Sequence, residues 1–141
     1  MAGVLFDTSI YIDALRSGDA AVHARRLAES GPVWLSAVVL AELYAGASGR
    51  AVRTVQKLEY DFRVVERLLL PNATDWATAG RALAYLREQF GYELTGRGRV
   101  MNEALIAMSA ARTGTTVITG NERDFARLAK FRKFSWRLGK P

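Results

Sequence analysis

Four acids stand where an acid is out of character. Asp7 closes the short apolar run Gly3-Val4-Leu5-Phe6, and Glu42 ends the buried-type stretch Ser36-Ala37-Val38-Val39-Leu40-Ala41. Glu103 heads Ala104-Leu105-Ile106-Ala107-Met108, and Asp124 follows the β-branched run from Thr115 to Thr119. A lone charge on a core element is costly unless something pairs with it. Carboxylates drawn together repel by about 4 kcal/mol per pair at about 4 Å and an effective dielectric near 20. A cluster of them therefore needs a cation. The chain has no cysteine and a single histidine, His23. Oxygen-only ligands of this kind select hard ions such as Mg²⁺ or Mn²⁺. The competing explanation is that each acid ends a helix and pairs with an arginine. The recurrence of the acids at equivalent places in successive α/β units favours the cluster.

The elements that would position these acids are legible from pattern. Gly3 to Phe6 reads as a buried strand, and Thr8 or Ser9 can cap the helix that follows. A second helix is expected over residues 19–30, and Gly31-Pro32 is a turn. Val33 to Leu35 reads as a strand, and Ser36 caps a helix running to about Ala47. Residues 50–66 read as helix, and Arg67 to Leu70 as a short strand. Asn72 or Thr74 caps a helix ending near Phe90, followed by a glycine-rich loop from Gly91 to Gly98. Residues 100–112 form an apolar helix that Glu103 opens. Thr115 to Thr119 is a strand, Asn121 to Lys130 a last helix, and Lys133 to Leu138 an edge strand. Short apolar strands alternating with helices imply an α/β fold with a mostly parallel sheet of four to five strands, covered on both faces. In such sheets ligands bind beyond the C-terminal ends of the strands, where these acids fall.

Composition sets the wider bounds. The 141 residues suit one domain spanning 1–141, with globular proportions of 50% hydrophobic and 24% charged residues. The absence of cysteine excludes disulfide scaffolds, thiolate zinc sites and cysteine nucleophiles. The longest stretch without a charge, Ser30 to Ala41, is too short to span a bilayer. No signal peptide is visible, so a cytoplasmic protein with no membrane partner is expected. The net charge is +6, and most of the cations are arginines, which suit phosphate. Arg97 and Arg99, just before Glu103, are candidate phosphate contacts. Arg127, Lys130, Arg132, Lys133, Arg137 and Lys140 follow Asp124 with no acid among them. Phe131, Phe134 and Trp136 interleave with these cations and are expected to pack an edge strand. His23 reads as a surface residue, and Trp34 and Trp76 as core anchors.

Four segments carry a resemblance. Phe6-Asp7-Thr8-Ser9 looks like the opening motif of PIN domains, especially of VapC toxins. Ser36 to Gly46, with Glu42 inside it, is similar to their second motif. Asn102-Glu103-Ala104-Leu105-Ile106-Ala107 resembles the third, which usually has aspartate where this chain has Glu103. Val117 to Phe125 resembles the fourth. The four occur in order across nearly the whole chain. The resemblance implies a PIN-like three-layer α/β/α sandwich and a metal-dependent endoribonuclease, the toxin of a type II toxin–antitoxin pair. It implies that Asp7, Glu42 and Glu103 surround one or two Mg²⁺ or Mn²⁺ ions. Asn121 is then expected to orient water or substrate, and Asp124 to contribute from behind. Thr8, Ser9 and Thr119 match hydroxyl positions lining the family's site. The implied partners are an RNA substrate (tRNA, rRNA or mRNA), a VapB-type antitoxin that inserts a segment near the acids, and a second copy in a homodimer. Tyr11, Leu15, Leu43 and Tyr44 are candidates for the antitoxin groove.

Glu103 and Asn121 motivate a second reading: a PIN-like module that binds RNA or a protein without cutting. A phosphotransfer enzyme using Asp7 as nucleophile is disfavoured, because Thr8-Ser9 supplies no acid to donate a proton and Lys57 is the only lysine before residue 130. A helix-turn-helix is disfavoured by the lack of a basic recognition helix.

Overall fold

The computed structural model describes residues 3–94 and 98–139. The chain runs β1 (Gly3–Phe6), α1 (Thr8–Arg16), α2 (Asp19–Leu27), β2 (Val33–Ser36), α3 (Ala37–Gly46), α4 (Arg50–Val64), β3 (Leu68–Leu69), α5 (Ala73–Phe90), α6 (Gly98–Thr113), β4 (Thr115–Thr119), α7 (Glu122–Phe131) and β5 (Trp136–Leu138). The five strands lie in the order β3-β2-β1-β4-β5, and every neighbouring pair is parallel. This is the expected α/β architecture.

The order explains where a site can form. From β1 the chain steps outward through β2 to β3, then returns across the sheet to β4 and β5. Parallel crossovers are right-handed, so α1 to α4 cover one face and α5 to α7 the other. The packing agrees: α1 lies against α2 and α3, α3 against α4, and α5, α6 and α7 against one another. The direction reverses between β1 and β4, whose C-terminal ends form the crevice where doubly wound sheets bind ligands. Phe6 pairs with Ile118 beside that crevice. Leu5, Phe6, Val117 and Ile118 are fully buried there, which makes the two strands a rigid support.

Several boundaries differ from expectation. Helix α2 stops at Leu27, short of residue 30. Helix α6 starts at Gly98, so Glu103 lies in its second turn and does not open it. Only Trp136–Leu138 of the expected edge strand pairs with β4. Phe134 is buried with its ring edge-on to Phe125, and Phe131 and Trp136 pack against the core, so the terminal aromatics do pack inward. His23 is exposed as expected. Trp34 is only half-buried, and Trp76 is 54% exposed, so Trp76 is not a core anchor. Helix α5 buries Asp75, Thr78, Ala79, Ala82, Leu83 and Leu86. That stripe already uses the inward face, and Trp76 falls outside it. Among the described residues no helix is long and apolar enough to cross a membrane.

Candidate active site

Asp7 ends β1 and caps α1, so its position is fixed twice. Its backbone N–H donates to the Ile118 carbonyl at 2.8 Å. One carboxylate oxygen accepts from the Thr8 N–H at 2.8 Å. The other accepts from Thr119 Oγ1 at 2.8 Å and Ser9 Oγ at 3.2 Å. Ser9 Oγ in turn accepts from the Gly120 N–H at 3.1 Å. A Cβ at Gly120 would stand 3.3 Å from that hydroxyl, so glycine is what lets the β4 end close on α1. Thr8, Ser9 and Thr119 thus all meet the Asp7 cluster, as the motifs implied.

Glu42 reaches the crevice from α3, which Ser36 starts by capping the Val38 N–H. The Thr8 hydroxyl donates to Glu42 Oε1 at 2.5 Å, so Thr8 links the first two acids. Glu103 enters from the opposite layer on α6. Its Oε2 accepts from Asn121 Nδ2 at 2.5 Å, and the same amide donates to Asp124 Oδ2 at 2.9 Å. Asn121 also caps α7 through the Asp124 N–H, and its own N–H donates to Thr119 Oγ1 at 2.9 Å. Asn121 is therefore the hinge pin between the two carboxylate pairs. Arg99 is exposed on the first turn of α6, while Arg97 lies outside the described residues.

Burial and charge tune these acids in opposite directions. Asp7, Glu103 and Asp124 are each at most 5% exposed. Burial raises the Asp7 carboxyl, its three hydrogen bonds oppose this, and the Glu42 charge adds to the rise. Burial, then the neighbouring Asp124 carboxylate, push Glu103 up to about 8, with only the Asn121 amide pulling down strongly. Burial also works against ionised Asp124, but donors from Tyr92, Glu103, Asn121 and Arg123 outweigh it and hold Asp124 at about 2. Two carboxyls side by side with separated protonation are what a shared, desolvated site produces.

Another buried acid shows the difference between structure and chemistry. Asp75 is 1% exposed, closes a capping box with Asn72, and takes Arg112 Nε on both oxygens at 2.9 and 3.1 Å. Among the described residues neither Asp7, Glu42 nor Glu103 has an ion-pair partner. Asp124 alone of the four has one, Arg123 at 3.2 Å. Glu103 Oε1 is buried with no hydrogen-bond partner among the described residues. As the side chains are turned, no three acids among the described residues are gathered tightly enough to ligate one ion. The donor set nonetheless suits a hard divalent cation: all oxygen, desolvated at Asp7 and Glu103, half-buried at Glu42, and without a cationic partner among the described residues.

One member of the site had no sequence signal. The Tyr92 hydroxyl, from the loop after α5, donates to Asp124 Oδ1. With Arg123 on the same oxygen and Asn121 on the other, Asp124 is fully engaged, which fits a supporting position. Of the suggested groove residues, Tyr11 is fully buried and lines nothing. Tyr44 donates to Glu59 at 2.6 Å. Leu15 and Leu43 do line a cleft between α1 and α3, together with Ile12, Glu42, Ala47 and Ala51.

A parallel sheet with acids at its switch point defines a class of nucleotide- and phosphate-handling folds, and comparison with known proteins narrows it. The model of the PIN domain matches residues 4–131, and this chain belongs to that family. It is 28% identical over 138 residues to the tRNA(fMet)-specific endonuclease VapC of Shigella flexneri, covering 96% of this chain and 99% of that one. Its fold is similar to that in a VapBC complex of Rickettsia felis bound to a promoter DNA fragment, with TM-score 0.68, 23% identity and coverage of 99% and 100% of the two chains. It is also similar to a DNA-bound VapBC of Salmonella typhimurium, with TM-score 0.69, 20% identity and 98% of each chain covered.

Proposed function

We propose that this protein is a metal-dependent endoribonuclease acting as the toxin of a type II toxin–antitoxin pair. The observation that carries the proposal is the set of carboxylates at the β1/β4 switch point of a PIN-family chain, buried Asp7 and Glu103 with half-buried Glu42, which have no cationic partner among the described residues. Asp7, Glu42 and Glu103 would hold one or two Mg²⁺ or Mn²⁺ ions. A bound ion supplies a water of lowered pKa and offsets charge on the scissile phosphate. Thr8, Ser9 and Thr119 fix the rotamers of Asp7 and Glu42 by donating to them. Asn121 orients Glu103, and Asp124, locked by Tyr92 and Arg123, holds Asn121 in place. The buried walls exclude bulk water, which strengthens every charge interaction inside. Arg97 and Arg99 would meet the RNA at the mouth of the site. The products expected are a 5′-phosphate and a 3′-hydroxyl.

The partners follow from the same reading. The cleft holding Leu15, Leu43 and Glu42 leads from apolar walls to the acids, which suits a VapB-type antitoxin segment. A homodimer is supported by exposed Trp76, which lines a cleft with Val38, Ala41, Pro71 and Asn102. We assign the protein to the cytoplasm, where its RNA substrate would be. The non-cutting alternative rested on Glu103 and Asn121, and a glutamate with a buried oxygen that has no partner among the described residues argues against an inert replacement.

The test is incubation of the purified, antitoxin-free chain with total RNA, with Mn²⁺, Mg²⁺ or chelator, beside Asp7→Asn. Discrete, metal-requiring cleavage that the variant lacks is the expected result. Cleavage that persists in chelator, or ends in a 2′,3′-cyclic phosphate, overturns the mechanism.

A further inference from the structure

Helix α7 leaves the site carrying a stripe of cations, of which only Arg123 touches a carboxylate of the site. Arg123, Arg127 and Lys130 recur at spacings of four and three, so they share one helix face, turned away from buried Phe125 and Leu128. Each lies over an aromatic ring delivered by the end of α5. The Arg127 guanidinium is 4.5 Å from the Phe90 ring centre and 5.6 Å from that of Tyr92. Arg123 lies 5.8 Å from Tyr92, and Lys130 lies 5.5 Å from Phe90. Arg127 gives one donor to the Tyr92 hydroxyl at 3.3 Å. Among the described residues neither Arg127 nor Lys130 has a carboxylate partner. Residues 125–139 contain no acid at all, and exposed Arg132 and Lys133 extend the stripe.

We propose that this face of α7 is the track that grips the RNA strand on one side of the cleavage site. The inference rests on the ribonuclease reading and names residues that reading does not require. Three features point to a phosphate backbone. The stripe starts beside Asp124 and Asn121, so a strand lying on it is continuous with the acids. From Arg123 to Lys130 the helix rises about 10 Å, long enough to meet successive phosphates. The rings hold the cations before binding, which lowers the ordering cost of engaging a phosphate. Among the described residues Arg127 commits one of its five donors, to the Tyr92 hydroxyl.

The test is fluorescence anisotropy with a labelled single-stranded RNA, in chelator so that nothing is cut. The variants are the double substitution Arg127→Ala with Lys130→Ala, the single reversal Lys130→Glu, and a control of equal charge loss, Arg50→Ala with Arg53→Ala on exposed α4. Circular dichroism checks each fold. Lys130→Glu keeps the test decisive if loss of Arg127 packing unfolds the double variant. The track predicts roughly tenfold or greater weakening in the double variant, and a salt-dependence slope shallower by about 1.4, since each single-strand phosphate contact contributes about 0.7. The control should bind like the parent. Unchanged affinity in the α7 variants, or an equal loss in the control, overturns the track. Cleavage is not the readout, so an uncleaved RNA that still binds through α7 would refute the nuclease and leave the track standing.

Discussion

Replacing Glu103 by glutamine isolates the cost of holding a carboxyl in the crevice without a cation. Glutamine is neutral at every pH, as the protonated glutamate is, and keeps an acceptor for the Asn121 amide. The folded-state pKa of about 8 lies above the ordinary glutamate value of 4.5. The sign follows: the parent's folded state holds the proton more tightly, so this group's contribution to stability is full below 4.5 and is lost as pH rises through 8. With about 1.36 kcal/mol per tenfold difference in proton affinity, the parent loses on the order of 4 kcal/mol between pH 5 and 9. The variant loses nothing at this site. That is a large share of the 5–15 kcal/mol typical of a whole domain. Urea unfolding in chelator across that range, parent against variant, reads the difference directly, and the variant should gain steadily as pH rises. Saturating Mn²⁺ should then reverse the order at high pH, because the ion stabilises only the form that binds it, by about 2.7 kcal/mol at a hundredfold excess over Kd. A parent–variant gap that stays flat to within about 1 kcal/mol from pH 5 to 9 would refute the claim that Glu103 is held neutral.

Three further outcomes are expected. Tyr92→Phe removes one of the two donors on Asp124 Oδ1 and should lower cleavage, with a stability loss of about 1–3 kcal/mol for a hydrogen bond to a charged group. Cleavage at the parent rate would show that Asp124 needs no such anchor. Arg112→Ala strands the buried Asp75 carboxylate and should cost about 3–5 kcal/mol in denaturant unfolding, while cleavage per folded molecule stays at the parent level. A selective loss of activity there would mean that Asp75 is more than structural. Trp76→Ser should shift sedimentation toward monomer without lowering the melting temperature; an unchanged dimer would remove this patch from the interface.

Much of this was legible because strand-end acids follow apolar runs. Asp7 after Leu5-Phe6 and Thr119 after Val117-Ile118 advertise buried strands that end at a site, and Ser36 marks the helix that carries Glu42. The strand order is less visible, since four-residue strands have no pairing code beyond hydrophobicity, and only the four ordered motifs implied it. Tyr92 escaped because its partner lies 32 residues away and a loop tyrosine has no periodicity. Trp76 misled for the opposite reason: its type suggests burial, while its phase on α5 excludes it. The pairing of Glu103 with Asn121 was also hidden, because both residues read separately as ligand and water-holder.

The bond between Thr119 and Asp7 joins residues 112 apart. At about 5–20 residues per second of synthesis, the aspartate waits roughly 6–22 s for the strand that fixes it. Until β4 has been made, β1 lacks its central neighbour, Asp7 lacks its strongest donor, and Asn121 does not yet exist. A ribosome-bound chain therefore has no working crevice. Under the proposed function, that interval is one in which a partner can meet the first helices before the crevice exists.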